Sequence, residues 1–130
     1  MNKKYLVTFL VMAMFLMVSG CSKSVERVGI EGVVTYEGKP LVGAMVTIKP
    51  IAGPGAGAET DADGKYVITK GAGPMQGECQ IIVEKYAPVP TGTNGEEAYE
   101  PVLPPNIHGI PKQFVLNRGV NKIDIDLDKW

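Results

Sequence analysis

Two cysteines, one histidine, one tryptophan and no surplus of positive charge are what these 130 residues offer to most catalytic or nucleic-acid chemistry. One histidine cannot supply both imidazoles of a zinc site built from two histidines and a glutamate. Two cysteines allow at most one disulfide, too few for the stapled framework of a small secreted domain. With 13 basic against 14 acidic residues the formal net charge is −1, so nucleic acid is not an expected partner. Long hydrophobic runs are missing too. The longest, Tyr5 to Val18, is interrupted only by Thr8. At ~1.5 Å per residue it reaches only ~21 Å, against ~30 Å of bilayer hydrocarbon, which excludes a comfortable membrane span.

What the chain has in plenty is glycine and proline, 16 and 10 residues. That is about twice their joint average usage yet short of a disordered composition. The length suits one domain. Together these imply a turn-rich β protein, with no amphipathic helix after the amino-terminal segment.

Residues 1–20 contain no acidic residue, carry Lys3 and Lys4 ahead of the apolar run, and end in small residues, which is the layout of a signal peptide. The run closes on Val18-Ser19-Gly20-Cys21, which resembles the lipobox of bacterial lipoproteins. The resemblance implies cleavage between Gly20 and Cys21, a diacylglyceryl thioether on the Cys21 sulfur and acylation of the new terminus. One chain holds a protein only marginally at ~0.8 kcal/mol per buried CH₂, whereas two or three hold it firmly. An ordinary secretory signal or a short uncleaved anchor are the alternatives. Ser22 in place of aspartate points to the outer membrane, facing either the periplasm or the outside. Removing residues 1–20 takes Lys3 and Lys4 away and moves the net charge from −1 to −3. Lipidation of Cys21 also leaves Cys79 without a partner, and an unpaired cysteine is most often a small core residue.

Residues 21–27 are short and patternless, a tether. From Val28 to Tyr36 the period is two, with Val28, Ile30, Val34 and Tyr36 on one face. After "EGKPL", Gly43 to Pro50 resumes the alternation, and the two runs read as a hairpin. Ile51 to Ala58 reads as a glycine-rich connector; no Gly-Lys-Ser/Thr follows, so it is not a phosphate loop. Asp63-Gly64 reads as a hairpin turn. "ECQIIVEKY" places Cys79, Ile81 and Val83 on one face of a central strand. Residues 87–113, with six prolines, read as a long loop, either functional or mobile. Finally Ile123, Ile125 and Leu127 alternate with Asp124, Asp126 and Asp128, a strand with one wet face. The expectation is an all-β fold, a single antiparallel β-sandwich of about seven strands over residues 28–130.

The ordered set Gly32-Val33-Val34, Gly38-Lys39-Pro40-Leu41-Val42-Gly43-Ala44-Met45-Val46, Thr60-Asp61-Ala62-Asp63-Gly64-Lys65-Tyr66, Gly77-Glu78-Cys79-Gln80-Ile81-Ile82-Val83 and Asn121-Lys122-Ile123-Asp124-Ile125-Asp126-Leu127 resembles carboxypeptidase-regulatory-like, transthyretin-like (prealbumin-like) domains. The likeness is greatest to the small lipoproteins of planctomycete-type bacteria. It implies a transthyretin-like sandwich and an accessory, non-enzymatic role. Cys79 stands where such domains carry an aromatic residue, and Ile110-Pro111-Lys112-Gln113-Phe114 resembles their Ile-Pro-x-Lys-Tyr with the lysine shifted. The hydroxyisourate hydrolases of this fold end in Tyr-Arg-Gly-Ser, whereas this chain ends Leu127-Asp128-Lys129-Trp130.

No catalytic residue or cofactor is expected. His108 lies far in sequence from Cys79, so a nucleophile–base pair has no support. Asp61 and Asp63 could begin a calcium loop, as in a calcium-binding adhesion domain, but Lys70 occupies the place of the bidentate glutamate, and a plain turn is the simpler reading. Tyr86, Tyr99, Phe114 and Trp130 could stack on sugars or simply pack. The expected role is a lipid-anchored cell-envelope module, binding or structural, with an envelope protein or a polysaccharide as partner and a carbohydrate-binding module as the alternative.

Overall fold

The computed structural model describes residues 26–90 and 97–130. The signal segment, Gly20 and Cys21 lie outside the described residues. What is described is nearly all β, consistent with a sandwich: two sheets enclose one core, and a separate two-stranded hairpin stands at one end.

The first sheet is built on β1 (Gly29–Tyr36), flanked on one side by β5 (Lys65–Ile68) and β2 (Lys39–Pro40), and on the other by β10 (Val120–Lys122) and β11 (Ile125–Asp126). The second has the order β4-β3-β6-β9, from β4 (Ala56–Glu59), β3 (Met45–Pro50), β6 (Gly77–Glu84) and β9 (Lys112–Leu116). The period-two pattern becomes packing directly: Ile30, Val34, Tyr66, Ile68 and Ile125 from one sheet meet Val46, Ile48, Cys79, Ile81 and Val83 from the other, all buried. Removing each aliphatic side chain from water contributes ~1.5–3 kcal/mol, and this is what holds the sheets together.

Several connections differ from expectation. β1 and β3 do not form a hairpin. A tight two-residue turn at Glu37-Gly38, both with positive φ, returns the chain only for β2, after which it crosses to the other sheet. The 61–64 turn likewise joins β4 and β5, which belong to different sheets, and β4 lies inside the supposed connector. Small residues hide this strand from a hydrophobic-pattern reading, although its register with β3 is regular. The sandwich is not purely antiparallel, because β10 and β11 both run parallel to β1.

The last segment is a broken strand rather than a continuous one. At Ile123 the chain bulges toward β1, and a Cβ on Gly32 would stand 1.8 Å from the Ile123 carbonyl oxygen. The chain resumes as β11 and ends in a 3-10 turn, Leu127–Lys129. The long proline-rich segment holds β7 (Tyr86–Pro90) and β8 (Glu97–Pro101), paired antiparallel, followed by a strap whose Leu103 and Ile107 are buried. Among the described residues no helix is long and apolar enough to cross a membrane.

Candidate functional site

β1 runs from Gly29, beside Ile68 and Val120, to Tyr36 at the opposite end, and β6 runs from Gly77 to Glu84 in the same sense relative to the core. The sandwich therefore has a tether end, from which residues 26–28 lead back to Cys21, and a far end bearing the β7–β8 hairpin. The strongest concentration of exposed aromatic and proline side chains is at the far end.

In the hairpin the pairs Tyr86–Pro101, Pro88–Tyr99 and Pro90–Glu97 share one face. Tyr86 and Tyr99 are 50% and 62% exposed on it, which leaves ring surface open to a ligand. The strap supports the hairpin's base: Val102 N–H donates to Lys85 O at 2.8 Å and Gly109 N–H to Val83 O at 3.0 Å. These contacts bring His108 to Tyr86, ring centres 4.8 Å apart and edge to face. His108 Nε2 is buried and has no hydrogen-bond partner among the described residues. Sequence reading assigned this stretch to a loop and so missed the His108–Tyr86 pairing.

Of the four aromatic candidates, two are taken up internally. Trp130 stacks on Phe114 at 6.3 Å, its indole N–H donates to Ile110 O at 2.9 Å, and Lys112 Nζ lies 5.2 Å from the ring centre. Tyr86 and Tyr99 are the pair left outward.

Asp61 turns its carboxylate onto its own loop, accepting from Asp63 N–H and Lys65 N–H, both at 2.9 Å. It thereby closes the turn while Asp63 faces solvent. Among the described residues no cluster of three or more histidine, cysteine or carboxylate groups could hold a metal ion. The aspartate row of the last strand is not a uniformly wet face either. Asp124 accepts from Val33 N–H at 3.0 Å, and Asp126 caps the final turn and pairs with Lys129 at 2.8 Å. Asp128 accepts from Glu37 and Gly38 N–H, pinning the strained turn after β1. Each therefore satisfies backbone that the broken strand and the turn leave open. The Lys129 ammonium draws the Asp126 carboxyl below its usual range.

Cys79 faces the core opposite Phe114, and burial pushes its thiol pKa up, the reverse of what a nucleophile needs. His108 packs elsewhere, on Tyr86. Beside the bulge lies a shallow depression of about 280 Å³ lined by Glu31, Lys65, Lys122 and Asp124, with Tyr66 beneath. Tyr66 is buried, its hydroxyl donates to Ile123 O at 2.7 Å, and burial followed by the nearby Asp124 charge holds its pKa far above the usual phenol value. The depression mixes both charge signs and has no nucleophile–base pair.

No family model matches the chain, and no curated protein matches it. Among solved structures it is similar to a protein from Pseudomonas aeruginosa described as a "putative carbohydrate binding protein", with 13% identity and a TM-score of 0.47 over 82% of this chain and 92% of that one.

Proposed function

We propose that this protein is a lipid-anchored module of the bacterial cell envelope, held in the outer membrane through Cys21 and acting by binding or scaffolding rather than by catalysis. The observation that carries the reading is Val18-Ser19-Gly20-Cys21, which closes a basic-then-apolar leader shortly before the first strand, Gly29–Tyr36. The inert setting of Cys79 and the engagement of the carboxylates with backbone support a non-enzymatic role. The resemblance of the ordered motifs quoted above to transthyretin-like accessory domains supports the same reading. Membrane fractionation of Cys21→Ala tests the anchor. The variant is expected to leave the membrane pellet or to accumulate as uncleaved precursor; a mature-size variant that stays membrane-bound would refute the reading.

A second reading rests on the outward Tyr86 and Tyr99: the hairpin binds a polysaccharide by stacking sugar rings on them. Tyrosine and tryptophan emission should then change across a polysaccharide panel, and the response should disappear in Tyr86→Ala/Tyr99→Ala. A flat response across the panel rejects the sugar.

A further inference from the structure

We propose that the tether end of the sandwich is a membrane-resting face that lies on anionic phospholipid headgroups. This rests on the anchoring at Cys21 argued above and adds what the anchored domain does with its surface.

Three observations meet at that end. The first is reach. Four residues, 22–25, separate Cys21 from Glu26, and even fully extended the five steps between them span no more than about 18 Å. An acylated Cys21 therefore keeps this end within a short distance of the lipid. The second is exposed apolar surface. Ile51, Val120 and Val115 are 76%, 65% and 63% exposed, the three most exposed large apolar residues among those described. Ile51 follows β3 and its N–H donates to Glu78 O, Val120 pairs with Gly29, and Val115 pairs with Glu78. The register thus gathers all three at the end where the tether leaves, away from the hairpin.

The third is charge. The loops at this end, 51–55, 69–76 and 117–119, contain Lys70 and Arg118 and no acidic residue. Both cations reach Glu26, Lys70 at 3.2 Å and Arg118 with its Nε donating at 2.7 Å, and both remain more than half exposed. They hold the Glu26 carboxyl below its usual range. Exposed Arg27 adds a further positive charge, and the other acids nearby are Glu78 on the outer sheet face and Glu31, which is paired in register with Lys122. The far end carries Glu37, Glu59, Asp61, Asp63, Glu97 and Glu100 against Lys39, Lys65 and Lys85. The acids thus outnumber the lysines at the far end, whereas basic residues outnumber acids in the loops of the anchored end, and a domain with that imbalance is oriented by an anionic surface, acid-rich end outward. The attraction acts within a Debye length, ~8 Å at physiological salt, a separation that a tether of at most about 18 Å lets this end reach. Aliphatic side chains among the cations then enter the interface. The hairpin tyrosines are turned away from the lipid as a consequence.

The test uses the mature lipid-bearing protein, reconstituted into vesicles of phosphatidylcholine with or without phosphatidylglycerol, each with or without brominated acyl chains. Ile51→Trp adds an indole to the face; wild-type Trp130, packed on Phe114 with its N–H donating to Ile110 O, sets the baseline. On phosphatidylglycerol vesicles the added emission is expected to shift blue and to be quenched by the brominated chains. Both effects should weaken in high salt and in Lys70→Gln/Arg118→Gln, whose exposed side chains leave the core untouched. Protein that floats with the vesicles while its added indole emits as in water, unquenched, overturns the face and leaves the anchor standing. Protein that fails to float overturns both.

Discussion

Gly32 shows how a single residue can be dictated by something ninety positions away. Its missing side chain is what lets the Ile123 carbonyl approach β1, so Gly32→Ala puts a methyl group against backbone that has nowhere to move. Gly38 offers the contrast: its φ of +70° strains any side chain, but nothing lies within 4 Å of the Cβ it lacks. Denaturant unfolding should show Gly38→Ala costing ~1–2 kcal/mol and Gly32→Ala distinctly more, to the point of preventing folding. Equal losses would mean that the bulge relaxes freely. Both glycines are visible in the sequence, but only Gly38 announces its role, through the turn chemistry around it. Gly32 looks like an ordinary strand residue because its constraint comes from a partner that periodicity does not name. The aspartates are a parallel case: their alternation with Ile123, Ile125 and Leu127 was legible, whereas their bonds to Val33, Glu37 and Gly38 were not.

At the scale of elements, sequence pattern reported which face of each strand is apolar and left open which strand lies beside it. β1, β3, β5 and β6 are where alternation puts them, and Cys79 points inward as its neighbours require. The 87–113 segment defeated the reading because six prolines look like loop. In a two-stranded ribbon only alternate pairs exchange N–H···O bonds. Pro88, Pro90 and Pro101 all fall in the same alternate set, leaving the N–H groups of Ala87, Val89, Ala98 and Glu100 for the ladder. The strap that follows is a structural part of the core, since Leu103 is 3% exposed. Leu103→Ala is expected to destabilise the protein by ~2–4 kcal/mol. Because the strap also seats His108 against Tyr86, it should loosen the hairpin's base, seen as faster amide exchange at Val102 and Gly109. A loss below about half a kilocalorie would be that of a surface residue and would return the strap to the status of a loose loop.

For the whole molecule, the two ends of the sandwich differ in balance: the most exposed aliphatic side chains and acid-free loops bearing Lys70 and Arg118 lie where the chain leads to Cys21, and an excess of carboxylates with the two outward tyrosines lies where the hairpin stands. That polarity fits the proposed reading, in which a lipid anchor at Cys21 gives the domain a fixed underside. The candidate site was only half legible. Tyr86 and Tyr99 were among the aromatic candidates, but which of the four aromatics are free and which are packed depended on Trp130 finding Phe114 and Ile110.

The central claim, that Cys21 is an acylated anchor, is tested most directly by mass spectrometry of the amino-terminal peptide of protein extracted from bacterial membranes. The account predicts a chain that begins at Cys21 and carries a diacylglyceryl thioether, with a further acyl group on the terminal amine. A peptide bearing a free Cys21 thiol, or one still preceded by residues 1–20, would contradict it.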